Sequence, residues 1–455
     1  MSAPARSRGI SVTLINIPDM RTLVKAMMTL GLACGSLLPL QAQDVSTYTP
    51  SAENLQARET FEENRFGIFL HWGLYSLFAQ GEWYMTNDNI DYREYAKSVE
   101  AFYPHNFDAA DWVSAFKNAG ARYICFTTRH HDGFSMWDTE CSDYDIMKTP
   151  YGKDILRQLA DECHRQGLKL HLYYSLIDWT REDFPIGRTG RGTGRKGPAD
   201  WDSYYDFMKC QLRELLTKYG TVDCIWFDGV WDHDEDSIPF DWQLDGLYSL
   251  IHELQPACLV GNNHHLTPFP GEDIQIFERD VPGENKAGLS GQAIGHLPLE
   301  TCQTMNGMWG YKVKDQNYKS TAELIQLLAR TAGKGANLLL NIGPQPDGSL
   351  PAAALSRLKE IGAWMKENGE AIYKTSAGEV VQGDSVVSTR KGDRLFVHIL
   401  SPNVTELNFS VKSSIHTVTT FPDGKAVKFK AHHGQVEVEE LEIPKDCPDF
   451  ILEIK

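Results

Sequence analysis

Basic side chains are in deficit. Lys and Arg number 44 against 61 Asp and Glu, a formal charge of −17. Such a surface repels phosphate backbones, which excludes nucleic-acid binding. Periodicity is missing too: 37 Gly and 21 Pro follow no repeat, so collagen-like and coiled-coil classes go. Metal-ligand spacing is absent. No two cysteines form a CxxC pair, and the His-x-His that a metal-dependent barrel hydrolase needs at the end of its first strand is here His71-Trp72-Gly73. No metal is therefore expected. Beyond the N-terminus no apolar run is long enough to span a bilayer, so no membrane span is expected.

What the N-terminus does carry reads as a targeting signal. From Met20 the chain runs MRTLVKAMMTLGLACGSLLPLQAQD, a charged start, a short apolar core and a small-residue exit. Residues 1–43 are read as a signal peptide, with Met20 as an alternative start, and the protein as exported to the periplasm or beyond. Cys34 sits in a context like a lipid-attachment site, but the apolar SLLPL after it argues against one. The other eight cysteines are dispersed, several in apolar runs, and are read as free buried thiols.

From residue 44 to 372 short apolar runs alternate with amphipathic segments. Strands are predicted at 66–72, 123–128, 169–175, 223–228, 257–261, 274–278, 301–305 and 337–342. Helices are predicted at 109–118, 153–166, 201–218, 244–254, 322–331 and 353–367. The strands are apolar without alternation, as expected when both faces are buried. Eight strands with intervening helices indicate a (β/α)8-like barrel. Its weak quarter is predictable: no helix separates strands five and six, and Arg279–Leu299 is rich in Gly and Pro. Residues 373–455 change to short, partly alternating strands with turn signals, an all-β sandwich.

In such a barrel the C-terminal strand ends and the loops after them form the site. Those positions hold His71, Glu82-Trp83, His130-His131, Tyr173, Trp226, Asp228, Glu278 and Trp309. Carboxylates, imidazoles and indoles at one mouth are what a sugar hydrolase uses. Asp228 closes an apolar strand and precedes Gly229, a poor core position and a good ligand-facing one; capping the next turn is the plainer role. Glycoside hydrolysis needs a second carboxyl group. Glu278, two strands on, can face Asp228, with a surface ion pair to Arg279 as its plainer role and Glu272 and Glu284 as competitors. The Gly187–Gly197 segment, GRTGRGTGRKG, lacks the strand and the GK[ST] ending of a phosphate loop. It reads as a mobile loop able to close over the site or to meet an anionic substituent.

The motifs RFGIFLHWGLYS, GEWY, TTRHHDGFSMWDT, DILRQLADECHRQGLKLHLYYS, IWFDGVWD and NLLLNIGPQPDGSL resemble, in order and spacing, those of the α-L-fucosidases of glycoside hydrolase family 29. The resemblance implies a retaining exo-glycosidase that releases terminal α-L-fucose from oligosaccharides or glycoconjugates without any cofactor. It also implies a barrel followed by a β-sandwich. It places Asp228 at the nucleophile position. His71, Glu82, Trp83, His130, His131, Tyr173 and Trp226 fall at fucose-binding positions, and Glu278 at the acid/base of some members. A raised pKa on Glu278, helped by ionised Asp228, is then expected. The chain departs from the family after strand five, where Asn262-Asn263-His264-His265 offers no Arg near the sugar; His264 is the candidate substitute. The alternatives are a retaining glycosidase for a related sugar such as galactose, and a carbohydrate-binding barrel without activity.

Overall fold

Eight parallel strands form a nearly closed barrel: β1 Phe66–Leu70, β2 Tyr123–Arg129, β3 Lys169–Ser175, β4 Cys224–Asp228, β5 Leu259–Asn263, β6 Gln275–Glu278, β7 Leu299–Thr304 and β8 Ala336–Ile342. They pair in the order β5-β4-β3-β2-β1-β8-β7-β6. This computed structural model describes residues 48–455 except 412–414. The signal peptide read at 1–43 lies outside the described residues. Among the described residues no helix is long and apolar enough to cross a membrane.

A helix α1, Ala52–Asn64, precedes the barrel, and α2 Ala109–Asn118, α3 Ile155–Gln166, α4 Trp201–Lys218, α5 Leu244–Leu254, α6 Thr321–Gly333 and α7 Ala352–Asn368 surround it. Local chemistry sets their ends. Asp108, Asp154 and Asp200 accept backbone N–H groups at the starts of α2, α3 and α4, satisfying donors the first turn leaves free. Gly120, at φ +96°, turns the chain out of α2 where a side chain would be strained.

The two-residue period of the strands divides their side chains between two cores. Ile68, Leu70, Ile124, Phe126, Ile225 and Phe227 pack outward against the helices. Phe69, Tyr123, Cys125, Tyr173, Cys224 and Trp226 fill the interior, which Phe61 of α1 joins. That parity decides the site. His71, Ser175, Asp228, Glu278 and Asn341 each stand two residues past an interior-facing side chain, so they follow the interior up to the C-terminal rim.

The weak quarter lies where the sequence places it. No helix joins β5 to β6 or β6 to β7, and β5 meets β6 through the single Gly261–Ile274 bridge. Side chains span the rest of the gap. Asp273 accepts the Val260 N–H at 2.8 Å, and Asn263 donates to Glu278 at 2.9 Å. The strand predicted at 257–261 is in fact shifted by two residues, to Leu259–Asn263. Asn262 and Asn263 do not break it, because their amides donate to Tyr248 and Glu278.

After α7, the strands β9 Ser376–Ala377, β10 Val386–Lys391, β11 Arg394–Ile399, β12 Leu407–Ser410, β13 Val418–Phe421, β14 Phe429–His432, β15 Gln435–Val438 and β16 Phe450–Ile454 form two antiparallel sheets. Their orders are β13-β16-β11-β10-β9 and β12-β15-β14. Val386, Val397, Leu407, Val436 and Leu452 belong to their shared core.

The reading of eight free thiols needs correction: Cys141 and Cys210 form a disulfide, and the six other cysteines of the described chain are free. Nothing local signals it, since 69 residues separate the pair. The fold creates it by laying the segment after β2 along α4, where Glu214 accepts from Trp137 Nε1, Thr139 Oγ1 and the Glu140 N–H. Closing so long a loop restricts the unfolded chain by about 4 kcal/mol. Reduction with dithiothreitol, or the double Cys→Ser variant, is expected to lower the urea midpoint accordingly; an unchanged midpoint would contradict this.

Candidate active site

At the C-terminal mouth lies a cavity of about 200 Å³, small for a ligand site. Its apolar wall is aromatic. Tyr173 and Trp226, neighbours across β3 and β4, stack with centroids 5.6 Å apart. Trp309 stands 5.2 Å from His71 and 6.0 Å from Phe69. Trp226 is held from below by Glu300, which accepts its Nε1–H at 2.8 Å and the Tyr123 hydroxyl at 2.6 Å. Burial pushes Glu300 up to about 7.

The histidines are fixed as neutral tautomers. His71 Nδ1 lies 2.7 Å from Asn341 Oδ1, while Asn341 Nδ2 donates to the Trp309 carbonyl at 2.7 Å. The carbonyl accepts only from the amide nitrogen, so Oδ1 must face His71 and the proton sits on Nδ1. His131 Nδ1 lies 2.7 Å from Ser175 Oγ, whose own proton goes to the Ile177 carbonyl. Both Nε2 atoms are therefore lone pairs. Burial lowers His71 and His131 to about 3 and His130 well below its usual value, with His131 and His71 adding to the effect. All three imidazoles are uncharged at neutral pH, and His71 and His131 can accept protons from ligand hydroxyls.

Asn341 thus sets a tautomer and seats an indole. Asn341→Leu leaves both partners unpaired in a buried place, at about 1–3 kcal/mol each. It is expected to lower kcat/KM about ten- to a hundredfold. A kcat/KM within twofold of wild type would show that neither bond matters.

Two carboxyl groups share the cavity. Asp228 Oδ1 accepts from Trp231 Nε1 at 2.9 Å and Oδ2 from the Tyr173 hydroxyl at 3.0 Å. His131 Nε2 is 3.6 Å from the same Oδ2. Burial, then the negative charge of Glu278, push Asp228 up to about 7. Glu278 Oε2 accepts from Asn263 Nδ2 and faces His265 Nε2, each at 2.9 Å. Burial raises its pKa, but the hydrogen bond and charge of His265, with Asn263 and Arg279, outweigh it and hold Glu278 below the usual carboxylate range. His265 is raised in return: burial lowers it, and Glu278 more than offsets that. The expected order is thereby reversed, with Asp228 the more readily protonated carboxyl. The sequence does not show that the cation beside Glu278 comes from the loop after β5.

The other predicted residues are distributed as follows. Trp83, His130, Tyr173, Trp226 and Trp309 line the cavity with His71 and His131. Glu82 stands behind the wall, buried, its Oε2 accepting the Gly310 N–H at 2.7 Å. His264 does not substitute for the missing Arg. It is buried against Phe269 and pairs with Glu272 at 3.1 Å, because two successive residues at the end of a strand point opposite ways. Its neighbours Asn263 and His265 reach the cavity instead. The competing carboxylates are engaged elsewhere: Glu272 by His264, Tyr248 and the Phe269 N–H, Glu284 by Arg330 and Lys286.

Trp231, Asn263, His265, Leu289 and Cys302 complete the wall beyond the predicted positions, with Arg188 from the Gly187–Gly197 segment. Trp231 had a readable signal. Gly229, at φ +116°, turns the chain so that the indole three residues after Asp228 folds back onto it. The start of the Gly187–Gly197 segment is hydrogen-bonded to its surroundings. Arg188 N and Thr189 N donate to the carbonyl and carboxylate of Asp232, and Gly190 N to Thr86 Oγ1, all at 2.8–2.9 Å. Among the described residues no group of three or more His, Cys, Asp or Glu is arranged to hold a metal ion.

The family model described as Alpha-L-fucosidase matches residues 37–370. The chain belongs to the α-L-fucosidase family. It is 29% identical over 375 residues to an alpha-L-fucosidase of Dictyostelium discoideum, covering 76% of this chain and 78% of that one. Alpha-L-fucosidase isoenzyme 1 of Paenibacillus thiaminolyticus superposes with a TM-score of 0.78 at 32% identity, over 89% of this chain and 99% of its own. A family-29 alpha-L-fucosidase of Bacteroides thetaiotaomicron, trapped as a covalent intermediate with 2-fluoro-fucosyl fluoride, superposes at 0.75 and 25% identity, over 88% and 96%. The two solved structures match the nearly closed barrel and the sheets that follow it, and membership makes the chain a glycoside hydrolase.

Proposed function

We propose that this chain is a retaining exo-α-L-fucosidase acting on fucosylated oligosaccharides or glycoconjugates, with Asp228 as nucleophile and Glu278 as acid/base. The observation that carries the assignment is the pair itself: two carboxyl groups on the rim of one small aromatic cavity, the charge of Glu278 adding to burial in raising Asp228. The terminal sugar stacks its apolar face on the Trp226 and Trp309 side and donates hydroxyl protons to the bare Nε2 atoms of His71 and His131. Asp228, oriented by Trp231 and Tyr173, attacks the anomeric carbon. Glu278 delivers a proton to the departing oxygen, drawing on the proton it shares with His265. A covalent fucosyl–Asp228 ester results. Glu278 then takes a proton from water, which displaces Asp228 and returns the sugar with its configuration kept.

Export through the N-terminal signal is part of the proposal, and the Cys141–Cys210 bridge supports it, since disulfides persist in oxidising compartments. The test is a panel of aryl glycosides, fucosides beside galactosides of matching stereochemistry, followed by NMR of the first anomer formed. α-L-Fucose appearing first is the expected result. Initial release of the β-anomer would overturn retention, and preference for the galactoside would overturn the sugar.

A further inference from the structure

Arg188 is a cation at the mouth of the cavity that the hydrolytic mechanism does not use. Among the described residues its guanidinium makes no hydrogen bond. The nearest acid is Glu235, at 3.6 Å, and both side chains are open to solvent, 39% and 72% exposed. The guanidinium lies over the Trp231 ring, 5.3 Å from its centroid, and Trp83 stacks on Trp231 at 5.6 Å. Its backbone is hydrogen-bonded on both sides. The tethers from Asp232 to Arg188 N and Thr189 N place it, and Trp179 Nε1 donates to Thr189 Oγ1 at 2.9 Å. A positioned, half-exposed Arg with unfilled donors, over an indole that itself holds the nucleophile, is a built feature in a chain otherwise rich in acid.

Given the exo-fucosidase reading, on which this inference rests, the terminal sugar fills the cavity and only the aglycone emerges past the mouth. We propose that Arg188 forms an aglycone subsite selective for an anionic oxygen group, a sulfate ester or a carboxylate, on the sugar next to fucose. A guanidinium binds two oxygens of a planar carboxylate or of a tetrahedral sulfate ester through two parallel N–H donors. Taking up the anion exchanges the loose, exposed contact with Glu235, which is worth little, for a charge-assisted bidentate one. Glu235 therefore acts as a competitor that neutral substrates leave in place.

Two variants separate this from a merely structural Arg188, because they move in opposite directions. The substrates are fucosyl disaccharides whose second sugar is neutral, O-sulfated or a hexuronic acid, and the readout is the ratio of kcat/KM for each anionic substrate to that for the neutral one. In Arg188→Gln the ratio should fall about tenfold, the scale of a bidentate charged contact. In Glu235→Gln it should rise about threefold, as the competing charge is removed. A response to the sulfated or to the uronic substrate alone identifies the source of the anion. If neutral disaccharides are cleaved but the ratio is the same in wild type, Arg188→Gln and Glu235→Gln, the subsite is refuted and the fucosidase reading stands. If no α-L-fucoside is cleaved at all, that reading itself fails.

Discussion

Asp228→Gly is expected to lower kcat on an aryl α-L-fucoside by about 10,000-fold, the scale on which enzymes respond to loss of a nucleophile. The variant leaves the rest of the wall in place. Trp231 Nε1 and the Tyr173 hydroxyl lose their common acceptor, yet the site stays open to solvent and both can be hydrated. The space vacated beneath the anomeric carbon then admits a small anion. Added azide should restore part of the rate and give fucosyl azide of inverted configuration. Wild-type turnover in Asp228→Gly would end the assignment. Loss of activity without azide rescue, accompanied by a lowered thermal midpoint, would point to misfolding, so the two measurements belong together.

The second large effect concerns Glu278 and the pH dependence. Glu278→Ala should reduce hydrolysis of natural, poorly leaving aglycones by about a hundred- to ten-thousandfold, the usual contribution of a positioned acid/base. Aryl fucosides with good leaving groups should retain the first step and accumulate the fucosyl–enzyme ester, because water then lacks its base. Equal losses on both substrate types would send the search to another acid/base.

The signs of the pKa shifts give the pH profile. Asp228 must be ionised to attack, and burial with the charge of Glu278 raises it to about 7. Activity of the free enzyme, kcat/KM, therefore falls as pH drops through about 7. Glu278 must deliver a proton, but His265 holds it low and is itself raised. The proton it delivers is shared with His265, so the alkaline limb belongs to that pair and begins where raised His265 loses its proton. His265→Gln removes the cation, lets Glu278 rise, and should displace the alkaline limb. An alkaline limb identical in His265→Gln would show that the pair does not carry it.

The barrel was legible because its signals are local. Apolar runs and helical periodicity, with Asp108 capping α2 and Asp200 capping α4, place β3, α2, α4 and α5 at their observed bounds. The missing helices around β6 announce the incomplete quarter. Period-two alternation around Phe69, Tyr173 and Trp226 carries the polar residues of the strand ends to the mouth. Boundaries failed where side-chain partners compensate for polar residues, as at Asn262 and Asn263 of β5. In the site, His264 and His265 are both histidines on the same turn. Only their orientations, into Glu272 or into Glu278, tell them apart.

By itself the sequence determined the fold class and the family and supplied Asp228 as the candidate nucleophile, since each depends on residue type and spacing along the chain. Only the tertiary structure decided the Cys141–Cys210 bridge, the His265–Glu278 pairing, the neutral histidine tautomers and the place of Arg188 at the mouth. Each of those depends on groups distant in sequence meeting in a medium of low polarity. There a single hydrogen bond or neighbouring charge moves a proton, and spacing along the chain carries no record of it.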